Sequence, residues 1–395
     1  MSLHIRDHEC MIGAIRLALI SLIALLGVIL NTGTGEAFHT GAVAECKECH
    51  PGWTRELRGS DASSTCLRCH QAPAGFRIPA GAYVATADSD MPSGVPPSQM
   101  TPGGDFGYLK KNYTWKVSSY QQRASPGERH GHNIVALDYG FAADTTYATT
   151  PDGVYPASEL SCISCHNPHG RIVQSNGTPG SYRLLGGIGY KSSSAPDMVF
   201  TVDPPVAVAP RDYNRSEAVT ETRVAYGKGM SEWCSNCHTR SGTGYGHSAG
   251  AGARFTPTII SNYNAYVKSG DLSGKDSESY TSIVPFEEGT DDLQILSQHA
   301  KNDGSSLNGP DANAVVMCLT CHRAHASAWD SMMRWNVSVE FIVHNSMYPG
   351  INNGSLAEYA QGRTAAETQR AFYDRPVSRF ASYQRSLCNK CHARD

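Results

Sequence analysis

Cys162-Ile-Ser-Cys-His166-Asn-Pro-His169 is the stretch that decides the fold, because its first five residues recur along the chain with the same spacing. Two cysteines three positions apart are followed at once by a histidine. This Cys-x-x-Cys-His pattern occupies residues 46–50, 66–70, 162–166, 234–238, 318–322 and 388–392. Of the 13 cysteines in the 395 residues, only Cys10 lies outside these six copies.

The pattern is the attachment signature of c-type haem, in which two thiols bind the vinyl groups of one porphyrin and the histidine binds the iron. A lone Cys-x-x-Cys is also typical of a zinc half-site or a redox pair. Zinc would join the pairs in fours, and a redox pair would not need histidine after every copy. The sequence therefore predicts six covalent haem c groups and leaves no cysteine for disulfides. The predicted attachment residues are Cys46, Cys49, Cys66, Cys69, Cys162, Cys165, Cys234, Cys237, Cys318, Cys321, Cys388 and Cys391, and the predicted proximal ligands are His50, His70, His166, His238, His322 and His392.

The N-terminal 37 residues have the features of a secretory signal peptide. Arg6 and Arg16 flank an almost purely apolar run at 17–30, and Gly35 and Ala37 offer small side chains for cleavage. A membrane anchor is the alternative, but the run is shorter than the roughly 20 residues that span a bilayer. The sequence therefore predicts a signal peptide at 1–37 and one secreted haem-binding domain at 38–395. It predicts no membrane span in that domain.

The second axial position of each iron separates an electron carrier from an enzyme. Eight histidines remain outside the motifs and the signal: His39, His130, His132, His169, His247, His299, His325 and His344. Six are predicted distal ligands, namely His39, His132, His169, His247, His299 and His325. His130 and His344 are predicted to be bystanders, and the methionines to be filler rather than ligands.

His169 and His325 each follow a proximal histidine by three residues. Residues three apart on a helical turn lie on the same side, so they cannot bind one iron from opposite faces. If the second histidine is a ligand, it must bind a different haem and tie two haems to one segment. The alternative is a surface histidine beside a motif.

The composition favours loops over regular structure. The chain has 38 Gly, 21 Pro and only 40% hydrophobic residues, and Gly/Pro/Ser-rich stretches at 80–105, 171–210 and 241–254 are typical of loops. Short helices are predicted at 214–234, 293–299, 327–339 and 358–391, the last interrupted near Pro376. Little β-structure is expected. The fold class is thus predicted as a multihaem cytochrome, mostly coil with short α-helices wrapped around a haem chain, whose interior is filled by something other than side chains.

The charge of the chain is slightly negative, at −3, and haem propionates would make it more so. Nucleic acid is therefore a disfavoured partner. No Cys-x-x-Cys-Lys variant occurs, and histidines are in surplus, so the sequence disfavours a multihaem reductase. Two electron-transfer hypotheses remain: a polymeric conduit and a monomeric periplasmic carrier.

The strings between the motifs closely resemble those of the OmcS-type hexahaem cytochromes of metal-reducing bacteria. They include Phe38-His-Thr-Gly-Ala-Val-Ala-Glu45, Met100-Thr-Pro-Gly-Gly-Asp-Phe-Gly107, Gly131-His-Asn-Ile-Val135, Arg223-Val-Ala-Tyr-Gly227, Pro285-Phe-Glu-Glu-Gly-Thr290, Cys321-His-Arg-Ala-His-Ala326 and Leu387-Cys-Asn-Lys-Cys-His392. The resemblance implies bis-histidine ligation and an extracellular filament of head-to-tail copies that passes electrons to other cytochromes, metal oxides or partner cells.

The chain departs from that family pattern at Trp53. The resemblance implies a histidine three residues past the first motif that binds a haem of the neighbouring copy, and tryptophan stands there instead. The sequence leaves two readings open. Either another histidine crosses the interface, with His39 as the candidate, or the interface differs.

Overall fold

Short helices joined by long irregular segments make up the computed structural model, which describes residues 46–72, 82–151, 153–170, 181–238 and 247–393. The predicted signal peptide and His39 lie outside these residues. The helices in the described ranges are α1 (Cys46–Cys49), α2 (Ala62–His70), α3 (Cys162–Cys165), α4 (Met230–Cys234), α5 (Pro257–Ala265), α6 (Leu293–His299), α7 (Cys318–Cys321), α8 (Ala357–Ala360), α9 (Ala365–Ala371) and α10 (Asn389–His392). No helix in these ranges has the length and apolar character needed to cross a bilayer.

The strands pair only two at a time. β1 (Gln71–Ala72) runs parallel to β2 (Ala85–Thr86), with Gln71 opposite Ala85. The other pairs are antiparallel: β3 (Tyr113–Lys116) with β4 (Gln122–Ser125), β5 (Ala207–Val208) with β6 (Ala225–Tyr226), and β7 (Phe341–Val343) with β8 (Gln384–Arg385). The mostly coil fold with short helices that the sequence predicts is therefore confirmed.

Side-chain caps begin the helices where the sequence offers them. Asp61 accepts a hydrogen bond from the Ser64 amide at the start of α2, and Asp292 does the same for Gln294 in α6. A cap satisfies an amide that has no partner within its own helix. The predicted helix at 293–299 is confirmed with its bounds.

Two other predicted helices are wrong. Within 214–234 only α4 forms, because Gly229 has φ +96° directly before it. The chain further upstream is held by tertiary bonds, such as that from Arg215 Nη1 to the Asn302 carbonyl oxygen at 2.8 Å. Within 327–339 there is a 3₁₀ turn at Asp330–Met332 but no α-helix, and Ser331 lies at φ +58°. The predicted helical region 358–391 breaks into α8, α9 and α10 with strand β8 between them.

The largest apolar core lies in the C-terminal half, where side chains fill more of the interior than the composition predicted. Trp335, Phe372 and Tyr263 are almost fully buried and belong to one cluster drawn from residues 255–387 together with Tyr108. Tyr348 stacks on Phe372 with ring centroids 5.6 Å apart. Aromatic rings bury enough area for a few of them to form a core in a Gly-rich chain.

A buried ion cluster joins the 217–221 segment to the chain after α9. Arg375 is 1% exposed and bonds to Glu217 and, at 2.5 Å, to Glu221. Burial would raise the pKa of Glu221, but Arg375 and Arg379 outweigh it and hold that pKa below its ordinary value. Glu217 also accepts from Ser282 Oγ, so the cluster ties three distant segments together.

Candidate haem sites

Four of the six motifs have both cysteines within one helix. α1, α3 and α7 each begin and end at the two cysteines of one motif, and α2 contains Cys66 and Cys69, whereas α4 ends at Cys234 and α10 begins after Cys388. A helical turn places residues three apart on the same face, with Cβ atoms about 5–6 Å apart. In those four motifs both thiols therefore face one side, as attachment to one porphyrin edge requires. None of the twelve motif cysteines forms a disulfide in the described part of the chain.

Backbone carbonyls orient His50, His70, His166 and His322. Nδ1 of His50 bonds to the Glu56 carbonyl oxygen at 3.0 Å, and Nδ1 of His70 to that of Ala82 at 2.7 Å. Nδ1 of His166 and of His322 make the same bond at 2.8 Å, to Arg183 and Ser331. A ring that donates from Nδ1 presents an unprotonated Nε2, the arrangement typical of histidines that bind metals.

Four motif histidines face a second imidazole across a constant gap. Ring centroids are 6.3 Å apart for His50 and His169, 6.4 Å for His166 and His325, 6.0 Å for His238 and His132, and 6.1 Å for His392 and His247. These gaps exceed van der Waals stacking at about 3.5–4 Å. Metal–nitrogen bonds of about 2 Å on opposite sides of one ion bring two imidazole centroids about 6 Å apart. The spacing therefore matches two axial ligands of one iron.

The second histidines are also held in place. Nδ1 of His132 bonds to the Ala324 carbonyl oxygen at 2.8 Å, and Nδ1 of His247 to that of Ser248 at 2.9 Å. His325 stacks on Phe106 at 4.7 Å. Burial, with His166 and His132 nearby, lowers the pKa of His325 to about 3. A neutral imidazole is the form that binds a metal.

The remaining histidines do not face a motif histidine within the described ranges. Nδ1 of His299 contacts the Glu288 carboxylate, so this predicted ligand is oriented but not brought to a motif. His130 is fully buried and bonds through both nitrogens, to the Tyr108 carbonyl oxygen and Ser125 Oγ. His344 packs between Tyr359 and Tyr383. His39 lies outside the described residues, and Trp53 ends a 3₁₀ turn at Pro51–Trp53.

Two motif pairs are packed in the same way, which sequence reasoning missed. Ser63 Oγ accepts from the Cys162 amide at 3.1 Å, and Ser231 Oγ accepts from the Cys318 amide at 3.0 Å. Each serine lies three residues before the first cysteine of its own motif. The neighbouring thiol of Cys162 raises the pKa of Cys66, and that of Cys318 raises the pKa of Cys234. The shared spacing of these serines was the signal available in the sequence.

The segment that contains Gly103 and Gly104 lies very close to the His325 segment, because glycine has no side chain. Gly104 has φ +93°, and a Cβ there would overlap the carbonyl oxygen of Ala326. The Gly103 carbonyl oxygen accepts from the His325 amide at 2.8 Å. The close approach therefore fixes the backbone that carries His325.

Gly104→Ala is expected to lower the free energy of unfolding by about 2 kcal/mol or more, because it adds a clash to an unfavourable φ. Denaturant unfolding followed in the haem absorbance would measure it. Gly270→Ala is the matched control, since Gly270 has φ +77° but no atom within 4 Å of a Cβ. Equal losses in both variants would show that the clash with Ala326 does not matter.

Paired imidazoles without further protein ligands fit an iron that already carries a porphyrin. In the described part of the chain no three metal-binding side chains cluster together. The thiol pairs on single turns and the oriented imidazoles together meet the needs of haem attachment and axial ligation. These features define the class of the protein as a multihaem c-type cytochrome.

Comparison with known proteins agrees with this class. The chain is 45% identical to C-type cytochrome OmcS of Geobacter sulfurreducens in an alignment 428 residues long. The alignment covers 94% of this chain and 98% of that protein. It belongs to the OmcS family of cytochromes. No protein-family model matches it.

Two solved structures are also similar. They are the OmcS nanowires from Geobacter sulfurreducens studied by cryo-EM (TM-score 0.82, 46% identity) and the Outer Membrane Cytochrome S filament from the same organism (TM-score 0.81, 45% identity). Each match covers 91% of this chain and 100% of the other.

Proposed function

We propose that this protein carries electrons through six covalently bound haem c groups, each iron held between two imidazoles. The observation that carries the proposal is the 6.0–6.4 Å separation of four imidazole pairs, each of which includes a motif histidine. When bound, the haems would supply reversible one-electron iron chemistry. Irons with both axial positions filled exchange electrons but have no position for a substrate, which favours a carrier over a reductase.

Four distal ligands follow from the pairs. His169 would serve the first motif, His325 the third, His132 the fourth and His247 the sixth. His39 and His299 stay candidates for the other two motifs.

Two short segments would each carry ligands of two different haems and so keep those haems close together. His166 and His169 are three residues apart but face different partners, His325 and His50. His322 and His325 likewise belong to different sites. A segment that holds two haems keeps their separation fixed, which suits electron transfer between them.

We propose further that the protein acts outside the cell as the repeating unit of a filament. The two similar solved structures are a nanowire and a filament of OmcS. A head-to-tail contact that does not close into a ring propagates without limit, so identical copies suffice. Electrons would leave the filament to other cytochromes, metal oxides or partner cells. Export would use residues 1–37 as a cleaved signal and leave 38–395 as one hexahaem domain.

Cryo-electron microscopy of native protein sheared from cell surfaces tests the filament. Filaments with an unbroken line of six haems per copy, and a chain that begins at Phe38, are expected. Dispersed monomers alone would contradict the filament and favour a monomeric periplasmic carrier.

The fifth motif is where a neighbouring copy would complete a site. His322 is oriented by Ser331, but no imidazole of the described residues faces it. With Trp53 in the place where the family resemblance implies a crossing histidine, we propose that His39 of the adjacent copy is the ligand.

Protomers dissociated from filaments are therefore expected to have one five-coordinate iron among six, which binds carbon monoxide when reduced, whereas intact filaments have none. The absorbance change on adding carbon monoxide measures the fraction of haem irons that are five-coordinate. His39→Ala should abolish polymerisation, and the controls His299→Ala and His344→Ala should not. Dissociated protomers that bind no carbon monoxide would contradict a ligand from the neighbour, and polymerisation of the His39 variant would exclude His39.

A further inference from the structure

The sixth motif contains a buried lysine. Lys390 lies between the two attachment cysteines, Cys388 and Cys391, and is only 5% exposed. Lysine is almost never buried to this extent unless an anion pairs with it, because removing an ammonium group from water is unfavourable. A buried lysine inside a cofactor-attachment motif therefore needs a physical explanation.

The groups that hold the Lys390 ammonium are neutral. Nζ donates to the Tyr266 carbonyl oxygen at 2.8 Å and lies 4.4 Å from the centroid of the Tyr263 ring. The centroid of the Tyr266 ring is 5.8 Å away. Aromatic faces attract a cation through their quadrupole, so they hold the ammonium in place without cancelling its charge.

Lys390 also lacks a counter-ion. In the described part of the chain no carboxylate forms an ion pair with it. Glu221 is close enough to favour the charged form of Lys390, but it is bound to Arg375 at 2.5 Å and to Arg379 at 3.1 Å. Burial lowers the pKa of Lys390 to about 8, so the ammonium is protonated at pH 6. The sixth motif therefore contains a positive charge that neither bulk water nor an anion neutralises.

The packing of α10 on α5 keeps this charge beside the sixth motif. Tyr263 belongs to α5 and is fully buried, and Asn262 Nδ2 donates to the Cys391 carbonyl oxygen at 2.8 Å. The proximal His392 follows Lys390 by two residues. The ammonium thus belongs to the same short segment as the cysteines and the proximal histidine of this site.

We propose that Lys390 raises the reduction potential of the haem held at the sixth motif. This rests on the proposed haem content. Ferrous haem carries one positive charge fewer than ferric haem, so a nearby cation stabilises the reduced state. Water and salt screen an exposed cation, whereas a buried one acts on the iron at much lower screening. The lysine of the first motif, Lys47, is exposed and lacks this effect.

Lys390→Met tests the proposal in the haem-loaded protein by spectroelectrochemical titration at pH 6. At a fixed applied potential the ferrous-to-ferric ratio of one of the six haems should fall about tenfold, which is about 59 mV for one electron. The other five haems should shift much less. Lys390→Arg keeps the charge and should restore most of the loss. Lys47→Met is the matched control, because it removes an exposed lysine from the same kind of motif, and it should shift no haem to that extent.

Asn262→Ala separates the charge of Lys390 from the packing around it. It removes the bond to the Cys391 carbonyl oxygen without changing any charge, so the potential should stay close to that of the wild type. An equal fall in Asn262→Ala and Lys390→Met would overturn the electrostatic role in favour of packing. Unchanged potentials in Lys390→Met would overturn it outright. Lys390→Gln, with the same expected fall, covers the case in which the methionine variant fails to fold.

A His247→Ala background identifies the haem that shifts. His247 faces His392 with ring centroids 6.1 Å apart, so its loss should make the iron of the sixth motif high-spin and mark that haem by its absorbance. Adding Lys390→Met should then lower the potential of the high-spin component. A His247→Ala protein without high-spin iron would contradict the proposed ligand and leave the result for Lys390 standing. A fall confined to a low-spin component would overturn the role of Lys390 at the sixth motif.

Discussion

Replacing His325 with alanine is expected to leave six haems attached and to convert one of the six low-spin irons to high-spin. His325 faces His166 with ring centroids 6.4 Å apart, so its loss would open one axial position without disturbing a thioether. Electron paramagnetic resonance of the oxidised protein measures the high-spin fraction, and mass spectrometry counts the haems. His169→Ala is expected to do the same at the first motif, where His169 faces His50.

The control for these variants is His344→Ala. His344 packs against Tyr359 and Tyr383 rather than a motif histidine, so its loss should leave every iron low-spin. A wholly low-spin spectrum in both His325→Ala and His169→Ala would overturn the ligand assignment. A lowered haem count would instead show that distal ligation is needed for attachment.

Replacing Arg375 with methionine is expected to lower the free energy of unfolding by about 3–5 kcal/mol, because it leaves the buried Glu217 without a cation and Glu221 with Arg379 alone. Glu217 is 2% exposed and Glu221 8%, so neither can be solvated in place. Guanidinium denaturation followed in the haem absorbance and in far-ultraviolet circular dichroism would measure the loss.

Arg385→Met provides the matched comparison for Arg375. Arg385 pairs with Glu340 at 2.8 Å, but the two side chains are 45% and 53% exposed. Exposed ion pairs contribute about 0–1 kcal/mol, so this variant should unfold close to the wild type. A similar loss in both variants would contradict the special role of the buried cluster. The triple variant Arg375→Met, Glu217→Gln and Glu221→Gln should recover part of the stability, since it removes the uncompensated charges.

Local sequence patterns predicted helices correctly only where no long-range contact of the same residues competed with the helix. The helix predicted at 293–299 forms as α6 with the same bounds, and the structure adds the Asp292 cap, which acts within three residues. The helix predicted at 214–234 was lost except at α4, since Arg215 and Glu217 bond to partners near residues 302 and 375. The aromatic core around Trp335 was also missed, because its members are scattered among glycines and show no helical or strand period.

The sequence by itself predicted the class of cofactor and the residues that would attach it, because Cys-x-x-Cys-His carries its chemistry within five residues. The segments between the motifs indicated the family. The sequence also determined that His169 and His325 cannot share an iron with the histidine three residues before them. Only the tertiary structure decided which imidazole faces which motif. The paired histidines are separated by more than a quarter of the chain. Their meeting depends on the packing of irregular segments, held by bonds such as Ser63 to Cys162 and by the close approach of Gly104 to Ala326, and no local periodicity encodes it.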